Sequence, residues 1–297
     1  MPYFYKLIVD AGVDLEKRLN RKARPQSVRI VRGAGAGLMM GAFACLTGFM
    51  VRFVGLHVPF GIVIEMLFLS CCINFMTPMK VVRQVQKSLD ADDLPQAVAT
   101  LQPYLPEPLG QEDLHTVIRK TAEFIAISLN QFLLAPVFWL LVAGPIGLSL
   151  YVTYSALNRA FGLPDKQRRY FGQFVRVADK TLNFIPATLS SVFLAASALF
   201  VSRSSPWRAA VTAIQQSRSY HFFYQGWLIT ALAGGLGVTL GGPIRYSSEY
   251  SENYHWVGPP TASARLLPQD LSRAALLQYA FFMCAIAMVA LLMILGA

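Results

Sequence analysis

Apolar residues in this chain are gathered into long runs that polar, mostly basic segments separate. The runs cover about 33–51, 57–79, 124–157, 184–201 and 275–295. Roughly 20 consecutive apolar residues form a helix long enough to cross the hydrocarbon core of a membrane. The pattern therefore predicts an all-α integral membrane protein, with four to six transmembrane helices and cytoplasmic helical loops.

The alternation of apolar and polar stretches divides the chain into six consecutive parts. They are a basic amphipathic N-terminal helix (1–32), two transmembrane helices (33–79), a soluble helical loop (80–121), a membrane core (122–201), a glycine-rich and polar region (202–274) and a C-terminal transmembrane helix (275–297). Because basic and apolar residues alternate along the first part, we expect it to lie on the cytoplasmic membrane surface.

Composition supports the membrane class and narrows the possible partners. The chain is 55% hydrophobic and 14% charged, whereas about 25% of residues are charged in soluble domains. The net charge of +10 comes without a nucleic-acid-binding motif, so we expect no nucleic-acid partner. The four cysteines lie in apolar stretches without metal-ligand spacing. Neither a disulfide framework nor a separate metal site is therefore predicted.

The distribution of basic residues constrains the topology. Segments 1–32, 80–121 and 158–180 contain eight, five and six Lys or Arg residues, and such segments favour the cytoplasm. Placing all three there requires an even number of crossings within 124–157. Gly144-Pro145 interrupts this run, which is either one tilted helix followed by a broken piece or a short hairpin. Residues 227–240 are similarly either a core helix or a re-entrant segment.

Two features within the first apolar runs have alternative interpretations. Gly33, Gly37 and Gly41 form a ridge of small residues that permits close helix contact, either within the chain or with a second copy or membrane partner. Glu65 lies in the second run. A carboxylate there marks a functional site or sits near the end of the span, protonated or reaching for the interface.

A candidate anion site adjoins the run that begins near residue 184. Asp179 and Asn183 are one helical turn apart, and Lys180 and Arg176 lie beside them. Together these groups could hold a phosphate or a carboxylate; the alternative is a solvated ion pair at the membrane interface. The glycine run at 234–242 lacks the spacing of a phosphate loop, which favours tight backbone packing instead.

Several ordered motifs give the chain a resemblance to a known family. They are Ala135-Pro136-Val137-Phe138-Trp139, Arg169-Tyr170-Phe171-Gly172, Asn183-Phe184-Ile185-Pro186-Ala187, the glycine run at 234–242 and Trp256-Val257-Gly258. Over nearly its whole length the chain resembles the CobD/CbiB family, the adenosylcobinamide-phosphate synthases of bacterial inner membranes. The resemblance implies a multi-pass protein of cobalamin (vitamin B12) biosynthesis. It also implies ATP-dependent formation of an amide between a corrin carboxyl group and aminopropanol phosphate.

The same resemblance implies roles for six residues. Glu123 and Asp179 would bind magnesium or act as bases, and Asn183 would orient a substrate amide or carboxyl group. The phosphate-binding residues would be Arg169, Arg176 and Lys180. The implied cofactors are ATP and magnesium, and the implied substrate is a corrinoid.

The chain also departs from the family pattern, always at polar positions. Ile127-Ser128 replaces Glu-Asn, Gln131 replaces Asp, Ser155-Ala156-Leu157-Asn158 replaces Asn-Thr-Leu-Asp, Lys180 replaces an acidic residue and Thr188 replaces Arg. Carboxylates for magnesium and cations for phosphate are the groups such chemistry needs. The alternative is therefore a non-catalytic membrane regulator or scaffold that resembles AmpE, a relative that shares the Ala-Pro-x-Phe-Trp motif.

Overall fold

The computed structural model describes residues 3–21, 24–74, 76–105, 108–109, 113–162, 168–220, 223–242, 244–247, 250–252 and 255–295. Over these residues the α-helices are α1 (Tyr3–Leu19), α2 (Gln26–His57), α3 (Gly61–Cys72), α4 (Met76–Asp90), α5 (Leu94–Leu101), α6 (Leu114–Leu129), α7 (Ala135–Leu157), α8 (Gln173–Ser197), α9 (Pro206–Gln216), α10 (Phe223–Leu236) and α11 (Pro268–Leu295). Short strands β1 (Leu240–Gly241), β2 (Ile244–Ser247), β3 (Tyr250–Glu252) and β4 (Trp256–Val257) pair antiparallel, β1 with β4 and β2 with β3.

Helices of membrane-crossing length account for much of the described chain. Five helical stretches are long and apolar enough: Gln26–His57, Gly61–Asp90, Leu114–Gly162, Gln173–Phe200 and Pro268–Met288. This confirms the predicted all-α membrane class. The first of them begins at Gln26, well before the apolar run at 33, because Pro25 stands just outside the helix and the polar residues after it are compatible with helix.

The chain divides into two compact units, which we describe separately. The first unit comprises residues 1–74 and 131–184, and the second comprises 75–130 and 185–297. In the first unit, α1, α2 and α7 surround an apolar core that includes Tyr5, Ile8, Leu148 and Phe161. Glu65 of α3 pairs with Arg52 of α2 at 3.3 Å, which supplies the partner that a carboxylate in this apolar run needs.

The run at 124–157 contains a helical hairpin, the second of the two predicted alternatives. Gly144 has φ +61° and ψ −154°, and the following Pro145 is suited to starting a helix because it lacks an N–H. The hydroxyl of Tyr151 lies 3.5 Å from the carbonyl oxygen of Gln131, although twenty residues of straight helix would span about 30 Å. The chain therefore reverses direction at Ala143–Gly144, giving a first arm up to 142 and a second arm from 145.

The glycine ridge of α2 packs against residues of the same chain. A Cβ atom at Gly33 would overlap the carbonyl oxygen of Phe171, and one at Gly41 would lie 2.6 Å from the hydroxyl of Tyr154. Gly37 faces Phe174 in the same way. Small residues here let α2 approach its neighbours closely. The ridge thus has the intrachain role, and association with another chain stays a separate prediction.

The second unit contains the predicted helical loop and the glycine-rich region. Asp93 and Asp113 cap α5 and α6 by accepting hydrogen bonds from backbone N–H groups three residues later, as expected for N-cap residues. The pKa of Asp113 is lowered by its hydrogen bonds with Thr116. Helix α10 is buried along Leu228–Leu236, so the segment at 227–240 provides a core helix. The paired strands at 240–257 were not predicted, because each is only two to four residues long.

Candidate functional site

Two predicted site residues, Asp179 and Asn183, lie together on one face of α8. Each is only 2% exposed. The side-chain amide of Asn183 donates to Asp179 Oδ1 at 3.0 Å and also to the Asp179 carbonyl oxygen at 3.0 Å. The one-turn spacing seen in the sequence therefore becomes a direct contact, which fixes the orientation of both side chains.

Side chains from the hairpin complete the surroundings of this pair. Asn158, at the end of the second arm, donates its amide to Asp179 Oδ2 at 2.8 Å. Tyr151, two turns earlier on the same arm, donates its hydroxyl to Asn183 Oδ1 at 3.1 Å. Each Asp179 oxygen thus accepts a hydrogen bond from a neutral amide.

The hydrogen bonding continues from the hairpin to the N-terminal helix. Gln131 donates its amide to the hydroxyl of Tyr5 at 2.7 Å and to the hydroxyl of Ser155 at 2.9 Å. Tyr5 in turn donates to the carbonyl oxygen of Ser155 at 3.2 Å. We call the connected set the Asp179 network; its members are Tyr5, Gln131, Tyr151, Ser155, Asn158, Asp179 and Asn183.

Burial sets the electrostatics of this network. Removal from water raises the pKa of Tyr5 to about 12; the charge of Arg159 opposes this rise and the charge of Asp179 adds to it. Burying an unpaired polar group costs free energy, so buried groups are normally hydrogen-bonded. The Asp179 network follows this rule within a core of apolar side chains. Such a network rigidifies its members and leaves Asp179 in a fixed position.

The predicted phosphate-binding residues are arranged differently. Arg176 is half-buried and donates to the carbonyl oxygens of Gly162 at 2.7 Å and Arg169 at 3.1 Å. It therefore braces the segment before α8. The side chains of Arg169 and Lys180 are exposed, and Lys180 follows the buried Asp179 on a different face of the helix. The contacts of Arg176 are thus with backbone carbonyl oxygens, and phosphate binding by these three cations stays a prediction.

Glu123 belongs to the second unit, where it is 4% exposed. Its Oε2 atom pairs with Lys120 Nζ at 3.1 Å, and its Oε1 atom accepts from the backbone N–H of Gly241 at 2.8 Å. Gly241 has φ +85°, a conformation that favours glycine. Glu123 therefore anchors the glycine run at strand β1, consistent with the predicted backbone packing of this run.

The described residues contain no group of three or more His, Cys, Asp or Glu side chains placed to hold a metal ion. Magnesium bound with a nucleotide needs one or two carboxylates together with phosphate oxygens. In the first unit Asp179 is buried and accepts from two amides, and in the second unit Glu123 accepts from Lys120 and a backbone N–H. Magnesium binding therefore stays a prediction.

Tyr5 and Tyr151 are members of the Asp179 network that sequence analysis did not identify. A tyrosine hydroxyl inside an apolar helix is the signal that could have marked them, because buried hydroxyls normally find a hydrogen-bond partner. Gln131, Ser155 and Asn158 were recognised only as departures from a family pattern. In the structure Asn158 donates to the carboxylate of Asp179, whereas Gln131 donates to the hydroxyls of Tyr5 and Ser155.

Comparison with known proteins gives consistent results. The chain matches the family described as CobD/Cbib protein over residues 5–278. It is 31% identical over 194 residues to the cobalamin biosynthesis protein CobD of Rhodobacter capsulatus. The matched stretch is 65% of this chain and 59% of that relative, so the chain covers less than two thirds of the relative's length. No solved structure matches the chain.

Two other relatives match over a larger share of their length. The cobalamin biosynthesis protein CobD of Brucella anthropi is 30% identical over 246 residues, 80% of this chain and 73% of the relative. The cobalamin biosynthesis protein CbiB of Salmonella typhi is 24% identical over 233 residues, 78% of this chain and 72% of the relative. With these relatives and a family match that extends over both units, the chain belongs to the CobD/CbiB family.

Proposed function

We propose that this protein works in cobalamin biosynthesis as a multi-pass protein of the bacterial inner membrane. Its proposed step is the ATP-dependent formation of an amide between a corrin carboxyl group and aminopropanol phosphate, in which ATP activates the carboxyl group and takes up the carboxyl oxygen lost as the C–N bond forms. Family membership and the names of the relatives support the pathway. The membrane-length helices and the hairpin support the multi-pass placement.

One observation carries the proposal, namely the carboxylate of Asp179 held at the centre of a buried hydrogen-bond network. An ionisable group within a membrane-length apolar helix is costly and commonly functional. An amine that attacks an activated carboxyl group must lose a proton, and a positioned carboxylate can accept it. We assign this role to Asp179, with Asn158 and Asn183 as positioning residues and Arg169 and Lys180 as exposed cations for phosphate.

A second candidate function is a non-catalytic regulator or scaffold like AmpE. It is favoured by the amides of Gln131 and Asn158, which stand where the family pattern has carboxylates. The fold would then be retained for packing and binding, since one fold serves many functions.

Complementation separates the two candidates. A bacterial strain that lacks the synthase and receives cobyric acid would carry this protein, its Asp179→Asn variant or the control Asp92→Asn. Asp92 is an exposed residue in the turn before α5, so the control makes the same charge change at a residue that is not a member of the network. Growth with the wild type and the control, but not with Asp179→Asn at equal membrane abundance, is the expected result.

Two other outcomes would contradict the proposal. If the wild type is stably present in membranes and supports no growth, the synthase activity is absent and the regulator or scaffold is the better account. If Asp179→Asn supports growth as well as the wild type, Asp179 is not the base, and its network is structural.

A further inference from the structure

A cavity lies between α4 and the beginning of α11, within the second unit. Its volume is about 290 Å³. Helix α4 contributes Arg83, Gln86, Lys87 and Asp90 to its wall, and α11 contributes Ser272. None of these residues belongs to the Asp179 network or to the surroundings of Glu123, so the cavity is separate from the candidate site described above.

The wall contains both positively and negatively charged side chains, which suits a ligand that carries one negative and one positive group. Arg83, Lys87 and Asp90 follow one another at intervals of four and three residues, which places them on one face of α4. Within the described part of the chain, the side chains of Lys87 and Asp90 form neither an ion pair nor a hydrogen bond. Cationic side chains bind phosphate through charge-assisted hydrogen bonds, and the nearby carboxylate can accept from an ammonium group.

An apolar stripe continues from the cavity along α11. Tyr279, Met283 and Ile286 are exposed and follow one another at helical spacing. The hydroxyl of Tyr279 accepts a hydrogen bond from Arg83 at 3.0 Å, which links the stripe to the charged wall. A tyrosine between a polar and an apolar surface is typical of the interface between lipid headgroups and acyl chains.

We propose that this cavity binds the headgroup of phosphatidylethanolamine. Arg83 and Lys87 hold the phosphate, Asp90 accepts from the ammonium group, and an acyl chain lies along Tyr279, Met283 and Ile286. The recognised chemistry is a phosphate ester that carries an ammonium group two carbons away. A free phosphoethanolamine has the same chemistry, so the acyl chains are what distinguishes the lipid. This inference does not depend on the proposed function.

The test uses the purified full chain in detergent, with its thermal unfolding midpoint measured against added ligand. The probes are dihexanoyl phosphatidylethanolamine, dihexanoyl phosphatidylglycerol and free phosphoethanolamine. Lys87→Glu removes a phosphate contact, and Lys80→Glu makes the same charge change at an exposed position of α4 outside the cavity. Asp90→Asn removes the ammonium contact and is compared with Asp92→Asn.

We expect phosphatidylethanolamine to raise the midpoint of the wild type more than the other two probes do. For Lys87→Glu, about tenfold more lipid should be needed to give the same rise in the midpoint, which corresponds to the loss of one charge-assisted contact. Lys80→Glu should respond like the wild type. Asp90→Asn should abolish the preference for phosphatidylethanolamine over phosphatidylglycerol, and Asp92→Asn should keep it.

Three results would overturn the inference. One is an equal response of the wild type to both lipids. Another is an equal loss of response in Lys87→Glu and Lys80→Glu, which would indicate general electrostatic attraction to the surface. The third is an equal response to phosphoethanolamine and to the lipid, which would assign the cavity to a soluble ligand.

Discussion

Asn158 donates its side-chain amide to the carboxylate of Asp179 across 2.8 Å. The donor lies at the end of the hairpin and the acceptor lies in α8, so one hydrogen bond joins two segments that are far apart in the chain. A neutral amide at position 158 lets Asp179 be the single carboxylate of its network. This contact leads to a direct test of what the neutral amide contributes.

Replacing Asn158 with Asp should place two carboxylates in contact. Two ionised carboxylates in contact repel each other, so the folded state of this variant should be less stable than that of the wild type. We expect the free energy of unfolding to decrease by about 1 to 3 kcal/mol near neutral pH, comparable to the effect of leaving a buried polar group without a hydrogen bond. Thermal unfolding in detergent measures the change.

The control for this substitution is Asn158→Ala, which removes the hydrogen bond without adding charge. Added magnesium should restore stability to Asn158→Asp and have no effect on the control, because two carboxylates can share a divalent cation. If magnesium stabilises neither variant, this position does not contribute to a latent metal site.

Glu123→Gln should leave Lys120 as a buried charge without its carboxylate partner. Breaking a buried ion pair from one side costs about 3 to 5 kcal/mol. Glutamine can still accept from the backbone N–H of Gly241, so the loss should come mainly from the ion pair. The measurement is the free energy of unfolding in detergent.

The double variant Lys120→Met, Glu123→Gln tests this assignment, because it removes both charges. It should recover most of the lost stability, since an uncharged pair carries no desolvation cost. If the double variant is as unstable as Glu123→Gln alone, the ion pair is not what Glu123 provides.

Gly33→Ala should destabilise the first unit, because the added Cβ would overlap the carbonyl oxygen of Phe171. The backbone at Phe171 cannot shift easily to relieve this overlap, so we expect the free energy of unfolding to decrease by about 1 to 3 kcal/mol. Gly35→Ala is the matched control on the same helix, since its Cβ would meet nothing within 4 Å. Alanine favours helix over glycine by up to about 1 kcal/mol, so the control should be neutral or stabilising in thermal unfolding.

Tyr5→Phe should change how stability depends on alkaline pH. The pKa of Tyr5 in the folded protein is raised to about 12 by burial, above its value of about 10 in the unfolded chain. Burial of neutral Tyr5 therefore contributes its full stabilisation to the wild type below pH about 10, and this contribution is lost as pH rises towards 12. The stability of Tyr5→Phe should fall less steeply between pH about 10 and 12, while at neutral pH the variant is the less stable of the two.

The hairpin gives a prediction about membrane topology. An alkaline phosphatase fused after Gly144 should be active, because the turn of the hairpin would face the periplasm. A fusion after Arg169 should be inactive, because the basic segment that follows the second arm favours the cytoplasm. Equal activity of the two fusions would contradict a hairpin whose arms cross the membrane.

The membrane class and the family could be predicted from the sequence because both depend on local information. Long apolar runs require helices in a membrane, where backbone groups have no water to bond with. The one-turn spacing of Asp179 and Asn183 was enough to place them on one helix face. The Ala-Pro-x-Phe-Trp motif and the other ordered motifs were enough to identify the family.

Only the tertiary structure decided which residues surround these local elements. The reversal at Gly144 brings Gln131 beside Ser155. The sequence left open whether residues 124–157 form a tilted helix with a broken piece or a hairpin, because Gly-Pro permits either a kink or a turn. The contacts of Asp179 with Asn158, and of Glu123 with Gly241, join residues more than twenty positions apart. Sequence spacing cannot specify such pairs, because they depend on how helices pack. This packing places the amide of Asn158 against the buried carboxylate of Asp179, and the amide of Gln131 against the hydroxyls of Tyr5 and Ser155.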